Sequence, residues 1–596
     1  MGVRRFAVLG AVLTFLALAA GPVARADEGS TPWQAASDWP MYGGSAGHTF
    51  ANAAAPPARL GEVWRLDGNA TLGSAVEADG FVYVADVDGV PQPAGPNLVV
   101  HRLAEVNGSE APAAGGWTAR VSLTPQAVAL APARTLAVDA TRVYALFTAL
   151  LRTSSEYQEV LAALNVADGS VAWMFNGTTP WTNATPQPTR SAAILIGSTV
   201  LFGSQDGSVY AVNAAANGAL LWSYDTGTAV QSVPAAEGDI VYVTAGSRLL
   251  FLDLQGTADG TQGTASAGGG DLLDEVMGAG PTVGSPVVSG PYVYFLADDN
   301  LSAVDKVQGG QPIWSEIAPW LPFVGRGSPA IASSFVVVRR DDGRTYAYEA
   351  ATGRITWIRV LPAAGDADMA FADGRLFLTG TRGGTGALVA LDTAGDVLDE
   401  AELPSGPLGA PVPAGDKVLV ASGSDLLAFR GQPDVAVLPT DIVLNAGQAA
   451  NGVARGNLTV AVRNLGDEPA VGVRVRVYDG AEGPDNLIAD FVVGNASDPV
   501  KAVGRSEGNF TATRDWSVGR HEILVVADPV AHEDVTGNNR AVAILYVEPG
   551  PPDTIVVGAG PYYLALLLGF VIGAAVLFLP LRRLRELRRK EGEKTS

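Results

Sequence analysis

The chain has 596 residues with 71 glycines and 38 prolines, which is too long for one compact core and favours a β-rich, turn-rich protein over a coiled coil or a disordered chain. It contains no cysteine, which excludes a disulfide framework, a thiolate metal site and a cysteine nucleophile. Residues 27–581 carry 29 basic and 58 acidic residues, and this net charge of −29 disfavours binding to nucleic acid.

The N-terminus is typical of a secretory signal peptide. Residues 1–26 begin with Arg4 and Arg5, continue with the apolar run "FAVLGAVLTFLALAA" and end in the cleavage-like triplet "ARA", with alanine at its first and third positions. These are the three parts of a cleavable export signal, so we expect removal after Ala26.

A short motif follows the signal peptide. "GGSAG" (43–47) has the G-x-S-x-G pattern of a hydrolase nucleophile, with Ser45 as the candidate and His48 nearby. That chemistry needs a strand before the serine and a helix after it, and neither flank has the composition for them. A triad partner is also not expected three residues away. We therefore interpret the segment as a turn.

One hairpin pattern recurs along the chain. The segments share a strand with an alanine, a glycine turn and a second strand that ends in tryptophan: "LAALNVADGSVAW" (161–173), "VYAVNAAANGALLW" (209–222), "LSAVDKVQGGQPIW" (301–314) and "TYAYEAATGRITW" (345–357). Tryptophans recur 43–56 residues apart, except for one gap of 92: Trp64, Trp117, Trp173, Trp222, Trp314 and Trp357. A period near 50 residues indicates a repeat architecture.

Each hairpin is preceded by a second strand pair, which gives four antiparallel strands per unit. Eight units are predicted, at 73–120, 134–175, 190–225, 231–275, 284–316, 327–359, 368–402 and 409–430. The last unit lacks its outer strand, and "LGEVWRLDG" (60–68) can supply it. This predicts an all-β, eight-bladed β-propeller over 40–431, closed by strands from both ends. We expect the turn glycines to adopt positive φ and the tryptophans to cover the joints between blades.

The unit "A-x-[DN]-x-x-x-G-x-x-x-W", together with residues 38–68, resembles the repeats of PQQ-like eight-bladed propellers. That group includes quinoprotein alcohol dehydrogenases and non-catalytic relatives such as the outer-membrane assembly lipoprotein. In the dehydrogenases, the resemblance implies a vicinal cysteine pair on the quinone and an acidic set that holds calcium. This chain has no cysteine, and no blade shows that acidic set. We therefore expect no cofactor and no catalytic residue.

A second domain is predicted at 433–548. Its alternation of apolar and polar residues is typical of an immunoglobulin-like β-sandwich. "VRNLGDEPAVGVRVRVYDG" and the segment from Asp528 to Asn539 are similar to the CARDB family of cell-adhesion-related domains, which implies a spacer or adhesive module. A linker (549–560) leads to "YYLALLLGFVIGAAVLFLPL". This run predicts a transmembrane helix at 561–581, and the basic tail 582–596 predicts a cytoplasmic C-terminus.

Other candidate sites have plainer interpretations. Acid-rich turns at 85–89, 298–300 and 339–343 lack the spacing of an EF-hand and are typical of Asx turns. The four histidines are too scattered to predict a metal site: His48, His101, His521 and His532. Eight N-x-[ST] sequons are possible glycosylation sites: Asn69, Asn107, Asn176, Asn183, Asn300, Asn457, Asn495 and Asn509.

The sequence as a whole predicts a single-pass protein of a prokaryotic cell membrane, with its N-terminal domains outside. The predicted function is non-catalytic: a binding, adhesion or envelope-assembly scaffold whose partner is a surface protein or a glycan. A PQQ-dependent dehydrogenase is the alternative, and a structural surface-layer component is a third possibility.

Overall fold

The computed structural model of the chain describes residues 38–550 with internal gaps. The gaps are 58–59, 69, 89–95, 123–126, 132–134, 152–153, 183–189, 256–269, 299, 318–326, 333, 341, 363–367, 407–408, 467, 496, 502–503, 506–509, 532 and 534–535. Among the described residues no helix has the length and apolar character to cross a membrane. The predicted signal peptide, membrane span and basic tail lie outside the described residues.

The chain folds as two compact units. The first runs to Asp434 and adds residues 466–469 and 531–534, and the second holds most of the remaining C-terminal chain. Both are built from strands, and the helical structure that is described consists of three single-turn 3-10 helices: Pro112–Ala114, Pro439–Asp441 and Pro484–Asn486.

The described part of the first unit forms eight sheets with a shared four-stranded antiparallel plan, which we call blades 1 to 8. From the inner to the outer strand, blade 1 holds Val76–Ala78, Phe81–Asp88, Asn97–Ala104 and Trp117–Ser122; blade 2 holds Leu136–Val138, Arg142–Leu151, Tyr157–Asn165 and Val171–Phe175; blade 3 holds Ile194–Ile196, Thr199–Gly203, Ser208–Asn213 and Ala219–Asp225; blade 4 holds Ala235–Glu237, Ile240–Ala245, Arg248–Asp253 and Leu272–Met277.

The remaining blades repeat the plan. Blade 5 holds Thr282–Ser289, Tyr292–Ala297, Asn300–Asp305 and Gly309–Ile317; blade 6 holds Ala330–Ala332, Phe335–Arg339, Arg344–Glu349 and Ile355–Val360; blade 7 holds Met369–Ala372, Arg375–Arg382, Thr385–Asp392 and Val397–Leu403; blade 8 holds Val412–Ala414, Lys417–Ser422, Asp425–Arg430 and, outermost, Gly61–Asp67. Two blades have a fifth strand: Ala127–Ala131 pairs with the second strand of blade 2, and Ala51–Asn52 pairs with the inner strand of blade 7.

The blades form a closed ring. Inner strands of successive blades lie against one another from blade 1 to blade 3 and from blade 4 to blade 8, and the inner strand of blade 8 lies against that of blade 1. Blades 3 and 4 are joined by the hydrogen bond from Trp222 to the backbone oxygen of Leu254. Gly61–Asp67 pairs antiparallel with Asp425–Arg430, so the N-terminal strand completes the last blade. The predicted β-propeller and its closing strand are therefore confirmed, and the closure leaves no unpaired edge at the seam.

The repeated tryptophan joins one blade to the next at six of the joints. In blade 3, Trp222 lies directly across the strand pair from Ala211, where the small side chain leaves room for the indole. Its Nε1 donates a 2.9 Å hydrogen bond to the backbone oxygen of Leu254 in blade 4. The same bond, 2.8–3.1 Å long, runs to the backbone oxygen at the equivalent corner of the next blade from Trp64, Trp117, Trp314 and Trp357.

A glycine in the next blade lies beneath each indole. Gly353 has φ +73°, and a Cβ there would lie 2.6 Å from Cε3 of Trp314. Glycine is thus required both for its left-handed backbone and for the close approach of the ring. Five more joints repeat the contact: Gly108 with Trp64, Gly169 with Trp117, Gly218 with Trp173, Gly270 with Trp222 and Gly395 with Trp357.

Two joints use aspartate instead. The one in blade 4 explains the gap of 92 residues between Trp222 and Trp314. Asp274 occupies the tryptophan position of blade 4, and its Oδ2 accepts a 2.7 Å hydrogen bond from the backbone N–H of Gly310 in blade 5. Asp399 occupies that position in blade 7, and its Oδ2 accepts a 2.8 Å bond from the N–H of Leu60. A carboxylate thus replaces indole packing with a charge-assisted hydrogen bond.

The second unit is a β-sandwich. One four-stranded sheet holds Leu487–Val493, Val473–Asp479, Gly519–Ala527 and Arg540–Val547; two three-stranded sheets hold Ile442–Ala446, Val453–Val460 and Phe510–Ser517, and Val435–Ala436, Arg463–Asn464 and Gly504–Arg505. Buried residues of these sheets form one core around Trp516, which donates a 3.1 Å hydrogen bond to the oxygen of Gly456. The immunoglobulin-like and CARDB assignments remain predictions.

Candidate functional site

The axis of the propeller is lined by the inner strands and crossed by residues 38–55, which we call the axial segment. This segment follows the inner strands around the ring. Its backbone bonds to blade 1 at Glu77, to blade 2 at Val138, to blade 4 at Ala236, to blade 5 at Val288, to blade 6 at Ile331, to blade 7 at Phe371 and to blade 8 at Gly415, over 2.6–3.0 Å. One end of the axis is therefore closed by the protein's own chain.

Tyr42 carries the axial segment into the axis. The backbone on either side of it is bonded to blades 2 and 4, yet its hydroxyl reaches blades 6 and 7. There it lies 2.7 Å from Oγ of Ser328 and donates a 3.0 Å hydrogen bond to Oδ2 of Asp368. His48 and Phe50 pack edge-on against the Tyr42 ring at 4.9 and 5.2 Å. All four side chains of the segment's aromatic cluster, Trp39 included, are buried in the core.

Below the axial segment lies a ring of short polar side chains, all at most 8% exposed, near the leading ends of the inner strands. They are Ser74, Thr135, Ser191, Ser232, Ser285, Ser328 and Asp368. Several of them bond to the neighbouring blade. Ser285 Oγ accepts from the N–H of Val233 at 2.9 Å, and Ser328 Oγ accepts from the N–H of Ser285 at 2.9 Å. Each of these bonds satisfies a buried backbone donor of the neighbouring blade, so the ring stabilises the centre of the propeller.

Blade 8 carries glycine where the other blades carry a polar residue. Ser74 Oγ accepts a 3.1 Å hydrogen bond from the N–H of Ala410, and a Cβ at Gly409 would lie 2.0 Å from that oxygen. The hydroxyl of blade 1 therefore needs the space that a side chain at Gly409 would fill.

Asp368 is the carboxylate of this ring. Its Oδ1 accepts a 2.6 Å hydrogen bond from the N–H of Ser328, while Oδ2 accepts from Tyr42. The carboxylate therefore serves both the joint between blades 6 and 7 and the axial segment.

The described axial residues do not fit a PQQ–calcium site. Such a site needs several oxygen ligands for the ion. Here the hydroxyls of Ser285 and Ser328 accept from backbone N–H groups, and Asp368 already accepts two hydrogen bonds. The described residues hold no group of three metal-ligating His, Asp or Glu side chains.

Two carboxylates meet where the axial segment joins blade 1. Glu77 is 4% exposed, and its Oε1 accepts a 3.1 Å hydrogen bond from the N–H of Gly80. Burial, followed by the charge of nearby Asp38, raises the pKa of Glu77 to about 8. Glu77 is therefore largely protonated at neutral pH.

A buried histidine lies between two carboxylates in blade 1. His101 Nε2 lies 3.4 Å from Oδ1 of Asp86, and Nδ1 bonds to Oε1 of Glu110. Burial alone lowers the pKa of His101, but the hydrogen bonds to Asp86 and Glu110 outweigh it, so the pKa is raised. His101 is 5% exposed, so the cluster belongs to the packing of blade 1.

The structure confirms the plain interpretation of "GGSAG". Gly43 and Gly44 have positive φ, and residues 41–47 form turns and bends rather than a strand followed by a helix. His48 Nδ1 lies 3.2 Å from the backbone oxygen of Pro286 and serves the axial packing.

The acid-rich turns are engaged in local contacts. Asp88 bonds to Arg120 and to Asn97, and Asp342 bonds to Arg344. Asp298 has φ +55°, as an Asx-type turn residue can. Of the histidines, His521 bonds to Asp479 in the sandwich at 2.8 Å, far along the chain from His48 and His101, and His532 lies outside the described residues.

Among the sequons, exposed asparagines stand at Asn107, Asn176, Asn457 and Asn495, and Asn300 is partly buried. Asn69, Asn183 and Asn509 lie outside the described residues.

Sequence reasoning missed the role of the axial segment. Tyr42, Ser328 and Asp368 are separated by up to 326 residues, so no local pattern connects them. The one available signal was the density of aromatic and glycine residues in "WPMYGGSAGHTF", which is unusual for a mere linker.

Comparison with known proteins supports the fold. Residues 174–359 match the family described as outer membrane protein assembly factor BamB, which consists of PQQ-like repeats. The resemblance to PQQ-like propeller repeats is thus confirmed over that stretch. No curated protein sequence is significantly similar to the chain.

Among solved structures, a europium-containing methanol dehydrogenase aligns with a TM-score of 0.50 at 12% identity and covers 66% of this chain and 98% of its own. A quinohemoprotein alcohol dehydrogenase from Comamonas testosteroni aligns at 0.49 and 14% identity, covering 66% of this chain and 80% of its own. BamB from Moraxella catarrhalis aligns at 0.42 and 15% identity, covering 62% of this chain and 99% of its own. At 12% identity, the likeness to the methanol dehydrogenase shows the fold alone.

Proposed function

We propose that this propeller of PQQ-like repeats is a non-catalytic binding scaffold, presented outside the cell by a C-terminal membrane helix. Its partner is a surface protein or a glycan. The observation that carries the proposal is the filled axis, where Tyr42 bonds to Ser328 and Asp368.

The axial packing supports a structural role for the centre of the ring. A ligand cavity would need open space and polar groups that converge without partners. Instead, Tyr42, Phe50 and Trp39 belong to the same core as the inner strands. A ligand at this end of the axis would have to displace seven blade contacts of the axial segment.

A rigid ring suits recognition through its connecting turns, because rigid scaffolds generally carry function on loops. Two turns between the third and outer strands present exposed valines, Val106 in blade 1 and Val307 in blade 5, at 74% and 70% exposure. In a ring of eight, these blades are opposite each other. Both turns are therefore available to a partner that spans this face.

The surface location rests on sequence features outside the described residues. Residues 1–26 predict export, and residues 561–581 predict one membrane span. The CARDB-like similarity of residues 433–548 favours a spacer or adhesive module between the two. These features suit a partner in the envelope rather than a soluble metabolite.

Site-directed photo-cross-linking on intact cells tests the proposal. A photoreactive residue replaces Val106 or Val307 in the full chain, and the exposed Tyr546 of the sandwich serves as the matched position. We expect one discrete adduct from the propeller turns and a different pattern from position 546. Absence of any adduct at both turns would contradict the binding role.

A further inference from the structure

The chain is enriched in glycosylation sequons. It has 19 asparagines, and eight of them stand in N-x-[ST] sequences. Serine and threonine together make up 68 of 596 residues, so chance alone predicts about two such sequences. All eight lie between the predicted signal peptide and the predicted membrane span. This excess over chance indicates acceptor sites for N-linked glycans.

Four described sequons present an exposed asparagine. Asn107 lies in a turn of blade 1, where Oδ1 accepts a 3.1 Å hydrogen bond from the N–H of Ser109. Asn495 lies in a turn of the sandwich, where Oδ1 accepts from the N–H groups of Ser497 and Asp498 at 2.9 and 3.0 Å. Because the carbonyl oxygen is bound to the chain, the amide Nδ2 is the atom left for solvent.

The two other exposed acceptors lie on sheets. Asn457 is in the strand Val453–Val460, and its Oδ1 accepts a 2.7 Å hydrogen bond from Oγ1 of Thr513. Asn176 follows the outer strand of blade 2 and is exposed. At both positions a glycan would extend into solvent without disturbing the core.

Asn300 provides an internal contrast. It begins the third strand of blade 5, and its Oδ1 is buried without a hydrogen-bond partner among the described residues. Asn300 is thus only partly exposed and the oxygen of its amide is enclosed, so a glycan there has less room than at the four exposed asparagines. The folded blade therefore disfavours modification at this sequon.

We propose that Asn107, Asn176, Asn457 and Asn495 carry N-linked glycans and that Asn300 does not. The donor is a lipid-linked oligosaccharide phosphate. Nδ2 attacks the anomeric carbon, the C1–N bond forms as the C1–O bond to the phosphate breaks, Nδ2 loses a proton, and the lipid phosphate leaves. The inference requires export of the chain but not the proposed binding function.

The sequon hydroxyls divide the sites by timing. Thr178, the third residue of the Asn176 sequon, is 3% exposed and donates to the backbone oxygen of Glu159 at 2.7 Å. Ser497 of the Asn495 sequon is exposed. A transferase that contacts this hydroxyl can reach Asn495 in the folded protein but must modify Asn176 before blade 2 closes.

Glycopeptide mass spectrometry of the full chain, purified from the membranes of its own cells, tests the proposal. We expect hexose-containing mass increments on peptides with Asn107, Asn176, Asn457 and Asn495, and an unmodified Asn300 peptide. Ser109→Ala and Ser497→Ala should abolish the increments at Asn107 and Asn495 while leaving both asparagines in place.

Asn300→Gln is the matched control. Its intact mass should differ from that of the native chain only by the change of side chain, because no glycan is lost. Unmodified peptides at all four proposed positions would overturn the inference. So would a modified Asn300 beside unmodified exposed sites, because the glycans would then not be found where the folded chain leaves room for them.

Discussion

The phenol of Tyr42 donates a 3.0 Å hydrogen bond to the carboxylate of Asp368, across the axis of the propeller and 326 residues along the chain. The same carboxylate accepts from the backbone of Ser328. One side chain of the axial segment thus holds two blades, and the centre of the ring depends on it.

Removing the Tyr42 hydroxyl should destabilise the propeller. Tyr42→Phe leaves an oxygen of buried Asp368 without its tyrosine donor, and one unsatisfied buried group costs about 1–3 kcal/mol. Chemical denaturation followed by tryptophan fluorescence measures the loss.

Tyr348→Phe is the matched control for that variant. Tyr348 is buried in blade 6, but its hydroxyl has no hydrogen-bond partner in the described part of the chain. Its removal should be neutral or slightly stabilising. Equal losses in both variants would mean that the Tyr42 hydroxyl contributes nothing specific.

The glycine beneath a docked indole should be far less replaceable than a glycine in open space. Gly353→Ala places a Cβ 2.6 Å from the Trp314 ring, whereas Gly374→Ala, at nearly the same φ (+70° against +73°), meets nothing within 4 Å. Both substitutions bear the left-handed strain of about 1–2 kcal/mol. Only Gly353→Ala also displaces the indole, so its free energy of unfolding should fall further. A smaller loss for Gly353→Ala than for Gly374→Ala would refute indole docking as the reason for glycine.

The aspartate joint at the seam of the ring should contribute measurable stability. Asp399→Ala removes the acceptor for the N–H of Leu60, at the start of the closing strand, and charge-assisted bonds of this kind contribute about 1.5–3 kcal/mol. Asp396→Ala, which removes an exposed ion pair with Arg359, should cost at most about 1 kcal/mol. Thermal unfolding of both variants checks the order, and a reversed order would show that Asp399 does not secure the seam.

Glu77 should make the stability of the propeller depend on pH. Its pKa is raised from 4.5 to about 8 in the folded chain, so the folded state binds the extra proton between these values. The stabilisation is present below pH 4.5 and is lost as the pH rises through about 8. Glu77→Gln keeps a neutral side chain at every pH, whereas the native chain loses stability as Glu77 ionises. The free energy of unfolding of the variant minus that of the native chain should therefore increase from pH 5 through 7 to 9 in denaturation curves. A difference that is independent of pH would contradict the assignment.

The sequence predicted the fold because each blade carries its own local signals. The alanine, glycine and tryptophan of one hairpin lie within 11 positions of one another, and their period marked the joints. Trp64 predicted the closing strand because it lacked a hairpin of its own. The sequence did not show the joints at Asp274 and Asp399. Aspartate replaces tryptophan there, and an aspartate in a strand resembles an ordinary exposed residue even though it bonds to the next blade.

The centre of the ring could not be predicted in this way. Tyr42 contacts Ser328 and Asp368 only after the ring has closed, and periodicity carries no information about residues that meet across an axis. Nor does periodicity show that the ring serines Ser285 and Ser328 satisfy buried backbone donors of the neighbouring blade. The location of partner-binding residues is likewise not encoded in the repeat, because loops vary independently of it.

Isothermal calorimetry of the full chain with calcium and PQQ, together with a dye-linked alcohol oxidation assay, tests the central claim most directly. An axis filled by Tyr42 and its neighbours predicts no saturable heat and no oxidation above background. Stoichiometric binding of the quinone with turnover of an alcohol would contradict the account and establish a dehydrogenase.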